Sequence, residues 1–184
     1  MIDSFHVELT TDFSNLVIRP VEKADLPTLE WGQKYIKYRR MFARLYNSTQ
    51  SGDTLMWLIQ VPQGELIGQT FVMLRSSDHS AANGDSRAYL FAFRVKPHWR
   101  NRGIGSWLMH FVENDLYRRG FKYLTLNVAK DNPDALRLYI RLGYKITGSR
   151  PGIWSYVDHK GHVHTVKEPA WRMEKRLPLH TSLD

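Results

Sequence analysis

The sequence predicts an α/β (α+β) protein, a mixed central sheet flanked by helices, and three observations lead there. Strand-like stretches outnumber helical ones along the 184 residues. Alternating aromatic and aliphatic residues at 88–95 give way, across a glycine-bearing turn, to Ile104, Trp107, Leu108, Phe111, Val112 and Leu116 at helical spacing, and that change of period marks a strand followed by a helix. A second apolar strand at 123–128 follows the helix. Residues 88–128 therefore make a strand–helix–strand unit, whose two strands run parallel.

The remaining elements follow from local signals. Residues 5–9 alternate weakly and read as a short edge strand; 16–20 is a firmer strand, ended by Pro20. Asp25, two residues before Pro27, is placed to cap a short helix reaching Trp31. A second helix over 34–46 carries Tyr35, Tyr38, Met41, Phe42 and Leu45 on one side and basic residues on the other, and the polar stretch 47–53 reads as a loop. Strands at 54–61 and 66–74 flank Pro62-Gln63-Gly64-Glu65, which suits a hairpin. The polar loop 76–87 leads into the strand at 88–95, which stops at Pro97 because proline cannot donate a ladder hydrogen bond. Gly120 closes the helix that follows. Farther on, Asn132 is an N-cap with Pro133 at the first helical position and Gly143 past the end. Strands at 144–147 and 171–177 enclose a turn-bearing segment over 149–164, and no internal repeat is present.

Composition narrows the function classes. A 42% hydrophobic, 12% aromatic chain without low-complexity breaks suits one compact soluble domain over 1–184. No apolar run approaches the roughly 20 residues of a membrane span, and the start lacks a basic and then apolar leader, so a cytoplasmic location is the default expectation. Cysteine is absent, which excludes disulfides, thiolate metal sites and an enzyme thioester. The formal charge of +8 would suit a nucleic acid or an acidic membrane. The positive residues are scattered, however. Their densest groups are Lys34, Lys37, Arg39, Arg40 and Arg44 on a predicted helix, where a solvated face is expected, and Lys96, Arg100 and Arg102 beside the glycines. A polyanionic cofactor accounts for the second group without any nucleic acid.

The run Arg100-Asn101-Arg102-Gly103-Ile104-Gly105 opens a helix. Free N–H groups, the positive end of the helix dipole and glycines that admit close approach make an anion site there. A lone Gly-x-Gly suits an ordinary turn equally well. The second motif decides: Asn132-Pro133-Asp134-Ala135-Leu136-Arg137-Leu138-Tyr139-Ile140-Arg141-Leu142-Gly143-Tyr144. With Arg100-x-x-Gly103-x-Gly105 before it, and Ile18-Arg19-Pro20 and Ala24-Asp25-Leu26-Pro27 near the start, the chain from about 16 to 177 resembles the GNAT superfamily of acyl-CoA-dependent N-acetyltransferases.

That resemblance implies a mostly antiparallel sheet of six or seven strands, with one parallel pair splayed open to hold acetyl-CoA. The cofactor-binding residues it implies are Phe93, Arg94 and Val95 on the first strand, Arg100, Asn101, Arg102, Gly103, Ile104, Gly105 and Ser106 in the loop and first turn, then Asn132 and Tyr139. It makes Tyr139 the general acid, and the chemistry agrees: a phenol of pKa about 10 is comparable in acidity to the departing thiol. A core aromatic is the other reading of that tyrosine. The general base is missing from its usual strands, since 88–95 offers no carboxylate and Asn127 stands at one usual position. Substitutes are Glu65, Asp78, His79, Asp85, His159, His162, His164 and Glu168, or the amine arrives neutral. The histidines at 159, 162 and 164 suit a substrate-facing hairpin better than a metal, and no metal is expected; Trp154 and Tyr156 line an acceptor pocket or pack. The expected activity is direct acetyl transfer to a primary amine acceptor, a small molecule being favoured. Alternatives are a protein N-terminus or lysine as acceptor, and a non-catalytic acyl-CoA-binding module; a homodimer is compatible with all three.

Overall fold

A computed structural model describes residues 13–177; the edge strand expected at 5–9 lies outside them. Nine strands and three α-helices are formed among the described residues: β1 (Val17–Pro20), α1 (Arg39–Gln50), β2 (Thr54–Gln60), β3 (Leu66–Met73), β4 (Arg87–Val95), α2 (Ile104–Arg118), β5 (Tyr123–Ala129), α3 (Pro133–Arg141), β6 (Lys145–Arg150), β7 (Ile153–Val157), β8 (Val163–Lys167) and β9 (Ala170–Arg176). Seven strands build one sheet in the order β1-β2-β3-β4-β5-β9-β6, and β7 and β8 form a separate hairpin. Within the large sheet β4 and β5 run parallel, and the other neighbours are antiparallel.

Alternation along the strands divides the apolar residues between two cores. Trp57 and Ile59 of β2 join Leu108, Met109, Val112 and Leu116 of α2, with Leu124, Leu126 and Met173. Met56 and Leu58 point to the opposite face, with Phe42 and Leu45 of α1, Phe71 and Tyr156. Each fully buried aliphatic side chain contributes roughly 1.5–3 kcal/mol to burial. α2 is also pinned by polar contacts: buried Glu113 accepts from Tyr144 Oη at 2.8 Å and from Lys175 Nζ at 2.7 Å.

Several local expectations are corrected. Instead of a short helix after Asp25, the chain makes 3₁₀ turns at Lys23–Asp25 and Thr28–Glu30. Asp25 binds the backbone N–H of Glu22 and pairs with Arg19, and three successive residues, Trp31, Gly32 and Gln33, adopt positive φ. A helix cannot continue through that conformation. The helix expected over 34–46 begins as a further 3₁₀ turn, Ile36–Tyr38, and its α portion extends to Gln50. Thr49 Oγ1 donates back to Tyr46 O and Ser51 Oγ to Ser48 O, so the polar residues read as a loop sustain the last turn instead.

Candidate active site

β4 and β5 stay paired for four positions, Arg87 with Tyr123 through Leu90 with Leu126. Beyond Leu90 they diverge. Asn127, Val128 and Ala129 keep only β9 as a partner, and on the other side Phe71 pairs with Phe91 while Gln69 pairs with Arg94. Ala92 and Phe93 therefore oppose the single residue Thr70, and Ala92 takes φ +51°. This is a β-bulge, which bends β4 away from β5. Lys96 N–H bonds to Ile67 O on β3. By alternation, the backbone groups of Phe93 and Val95 point the other way, into the opening. One of them is occupied: Arg100 Nε donates to Val95 O at 2.9 Å.

The opening ends at the start of α2. Asn101 at φ +59° and Gly103 at φ +81° turn the chain, and the first intrahelical donor is Trp107 N–H to Gly103 O. The N–H groups of Ile104, Gly105 and Ser106 thus lack helical acceptors and face the loop with the positive end of a 15-residue helix. Gly105 is walled in: a methyl there would lie 3.5 Å from Leu138 and 3.6 Å from Phe93. The basic group beside it is partly committed. Lys96 pairs with Glu65 at 2.7 Å, Arg100 holds Val95, and Arg102 lies over the Trp99 ring.

Across the opening, Asn132 caps α3 by accepting from Ala135 N–H at 3.1 Å. Tyr139 is 5% exposed, with its ring 6.2 Å from Phe93 and 5.7 Å from Tyr144. The core reading of this tyrosine is realised in its packing. Burial pushes its phenol well above the ordinary tyrosine value, with a smaller upward push from Tyr89, so the balanced match with a thiol expected from a free phenol does not hold. The group stays protonated and is suited to donating a hydrogen bond.

Phe93, Val95, Arg100 to Ser106, Asn132 and Tyr139 are thus brought around one opening. Arg94 is not among them. Its side chain lies on the α1 face, with the guanidinium 4.2 Å from the Tyr35 ring centre.

The other side of the opening holds a polar group that sequence reasoning saw only in part. Arg172 lies 5.5 Å from the Tyr89 ring centre, its Nε donates to Asn127 Oδ1 at 2.8 Å, and its Nη2 donates to Asp78 Oδ2 at 3.1 Å. Tyr89 and Arg172 were missed because β9 reaches this position only by inserting between β5 and β6, a pairing no local signal announces. Among the proposed bases, Asp78 is held below the usual carboxylate range by Ser80 and Arg172, Glu65 by Lys96, and Asp158 by His164 and two backbone N–H groups. A depressed carboxylate is a poor proton acceptor. Glu168 and Asp85 form no ion pair among the described residues, and of the two only Glu168 bears electrostatically on Tyr89.

The expected hairpin is formed by β7 and β8, and packing is the realised alternative for Tyr156. Asp158 gathers His164 Nε2 at 2.8 Å and the N–H groups of Lys160 and His162, while Tyr156 packs 4.9 Å from Tyr38. His162 and His164 serve a carboxylate, His159 does not, and Tyr156 belongs to the core. Among the described residues no group of three His, Cys, Asp or Glu side chains is arranged for a metal ion, and no helix is long and apolar enough to cross a membrane.

A parallel strand pair opened by a bulge thus stands with unpaired helix-terminal N–H groups, donors of the kind that suit an anion, at its mouth. The acetyltransferase (GNAT) family model matches residues 21–144, more than half of the sequence, and the chain belongs to that family. Similar folds recur in solved structures. The ribosomal-protein-S18-alanine N-acetyltransferase from Escherichia coli matches at 21% identity and TM-score 0.65, covering 92% of this chain and 98% of the other. The spermidine N-acetyltransferase from Vibrio cholerae, in complex with CoA and spermine, matches at 18% identity and TM-score 0.62, covering 89% and 96%. YncA from Salmonella typhimurium, with its cofactor acetyl-CoA, matches at 16% identity and TM-score 0.67, covering 92% and 98%.

Proposed function

We propose that this protein transfers the acetyl group of acetyl-CoA directly to a primary amine. The observation that carries this reading is the opening between β4 and β5, with unpaired backbone groups on Phe93 and Val95 leading to the free N–H groups of Ile104, Gly105 and Ser106. An extended pantetheine arm can add to β4 as a further strand does, through Phe93 N–H and C=O and Val95 N–H. Arg100 secures the one carbonyl the arm does not use. The pyrophosphate then meets the loop from Asn101 to Ser106, with Arg102 at its rim, and Asn132 lies on the opposite wall.

In the reaction the amine nitrogen attacks the thioester carbonyl, the C–S bond breaks, and the sulfur leaves as a thiolate. Tyr139 donates a hydrogen bond to that sulfur; its raised pKa keeps the hydroxyl protonated, and burial strengthens the interaction. The amine must lose a proton. Asn127 cannot take it, because an amide is not a base, and its oxygen instead accepts from Arg172. The amine therefore enters neutral, and the proton its nitrogen carries after attack passes to water in the opening, with Glu168 the carboxylate that bears on the Tyr89 side. Absence of cysteine fits direct transfer.

Calorimetric titration with acetyl-CoA and steady-state CoA release across a panel of amines test the reading. Saturable 1:1 binding with amine-dependent release is expected. Binding without release on any amine, including peptide N-termini and lysine, would leave a non-catalytic module.

A further inference from the structure

On the sheet face away from α2, next to the bulge, two buried polar side chains are left with unpaired donors. Gln69 is wholly buried; its Oε1 accepts from Trp31 Nε1 at 2.9 Å, and its Nε2 has no partner. Arg94, directly opposite on β4, has a buried Nη1 with no partner. Leaving such groups unmatched is costly, and most of all for a cation. The electrostatic partners of Arg94 are the hydroxyls of Tyr35 and Tyr38, with no carboxylate among them. Glu30, one residue before Trp31, is already held by Arg39 through two hydrogen bonds of 2.6 and 2.9 Å. Arg94 is partly exposed as a residue, but its Nη1 and Gln69 Nε2 are covered, so a ligand reaches the pair as the overlying Trp31 and Tyr35 side chains move aside. The segment over it contains the consecutive positive-φ residues Trp31, Gly32 and Gln33, and strain of this kind in a bulky residue such as Trp31 persists where the surroundings impose it.

Both groups are donors on facing strands, one of them cationic. Their complement is a pair of oxygens that carries a negative charge, and a guanidinium with a neighbouring amide N–H fits a carboxylate. The site lies between Phe93 and Val95 in sequence, hence beside the edge assigned above to the acetyl donor, but on the opposite face of the sheet. Building on the acetyltransferase reading, we infer that Arg94 and Gln69 form the anion-binding half of the acceptor site, so that the acceptor is a primary amine that also bears a carboxylate. A polyamine would place cations against an unmatched arginine.

The test compares α-amino acids and ω-amino carboxylates of rising length, each beside its carboxamide, with spermidine as the polycationic control. Binding is measured in the presence of CoA, and turnover in the presence of acetyl-CoA. For at least one chain length the carboxylate should exceed its carboxamide by about 10- to 100-fold in affinity and in kcat/KM. Arg94→Gln and Gln69→Met should each shrink that ratio, Arg94→Gln to near unity, while acetyl-CoA affinity stays within about threefold and so reports an intact fold. Arg94→Lys should keep part of the preference. Equal handling of carboxylates and carboxamides by the wild type, preference for spermidine, or a ratio unchanged in Arg94→Gln would each overturn the inference. Arg94-dependent carboxylate binding without CoA release would instead sink acetyl transfer and leave the anion site standing.

Discussion

Gly103→Ala separates the two tasks given to the loop before α2. Gly103 holds φ +81°, and an added methyl would sit 3.3 Å from the Phe13 ring. Keeping that conformation with a side chain costs about 1–2 kcal/mol. For a chain of this size each 1 kcal/mol is worth roughly 2–4 °C, so the melting temperature should fall by about 2–8 °C. If the backbone relaxes instead, the N–H groups of Ile104 and Gly105 swing away from the opening. Loss of a single hydrogen bond to a charged phosphate is worth about 1.5–3 kcal/mol, which weakens acetyl-CoA about 10- to 100-fold. Differential scanning calorimetry and isothermal titration on the same preparation read both effects. A variant that melts within 1 °C of wild type and binds acetyl-CoA equally well would refute the role given to this turn.

Other perturbations address the remaining parts. Tyr139→Phe should lower turnover by about 10²- to 10³-fold while changing acetyl-CoA affinity less than about threefold; equal turnover would return Tyr139 to a purely packing role. Lys175→Met strips Glu113 of its cation inside the core and should destabilise by about 3–5 kcal/mol, with much of the loss recovered in Glu113→Met/Lys175→Met; a near-normal melt of the single variant would contradict the ion pair. Asp158 is held below the ordinary carboxylate value by His164 first. Its contribution is therefore complete above the unfolded-state value near 4 and is lost as pH falls below it toward the folded value. Trp154 fluorescence should report hairpin loosening in that acid window, and a signal flat down to pH 2 would count against it.

Much of this architecture is written locally in the chain. The period change at Gly103, the Asn132-Pro133 start and Gly143 each act through neighbours in sequence, and α2, α3 and β5 form where those signals place them. The segment from Lys23 to Tyr38 was misread because Trp31 adopts a left-handed conformation its residue type disfavours, which tertiary contacts to Gln69 and Tyr35 hold in place. The bulge at Ala92 left no mark in a run that alternates almost perfectly. Past it, alternation sets the Arg94 side chain on the face opposite those of Phe93 and Val95. Tyr139 could be located from its motif, but its raised pKa depends on Phe93, Tyr144 and Tyr89 closing around it.

The most direct measurement is a single-turnover reaction with acetyl-labelled acetyl-CoA and the amine panel, followed by mass spectrometry of protein and small molecules. The account predicts one N-acetylated amine for each CoA released, with no labelled protein intermediate. Label appearing only as free acetate, or retained on the protein chain, would contradict it.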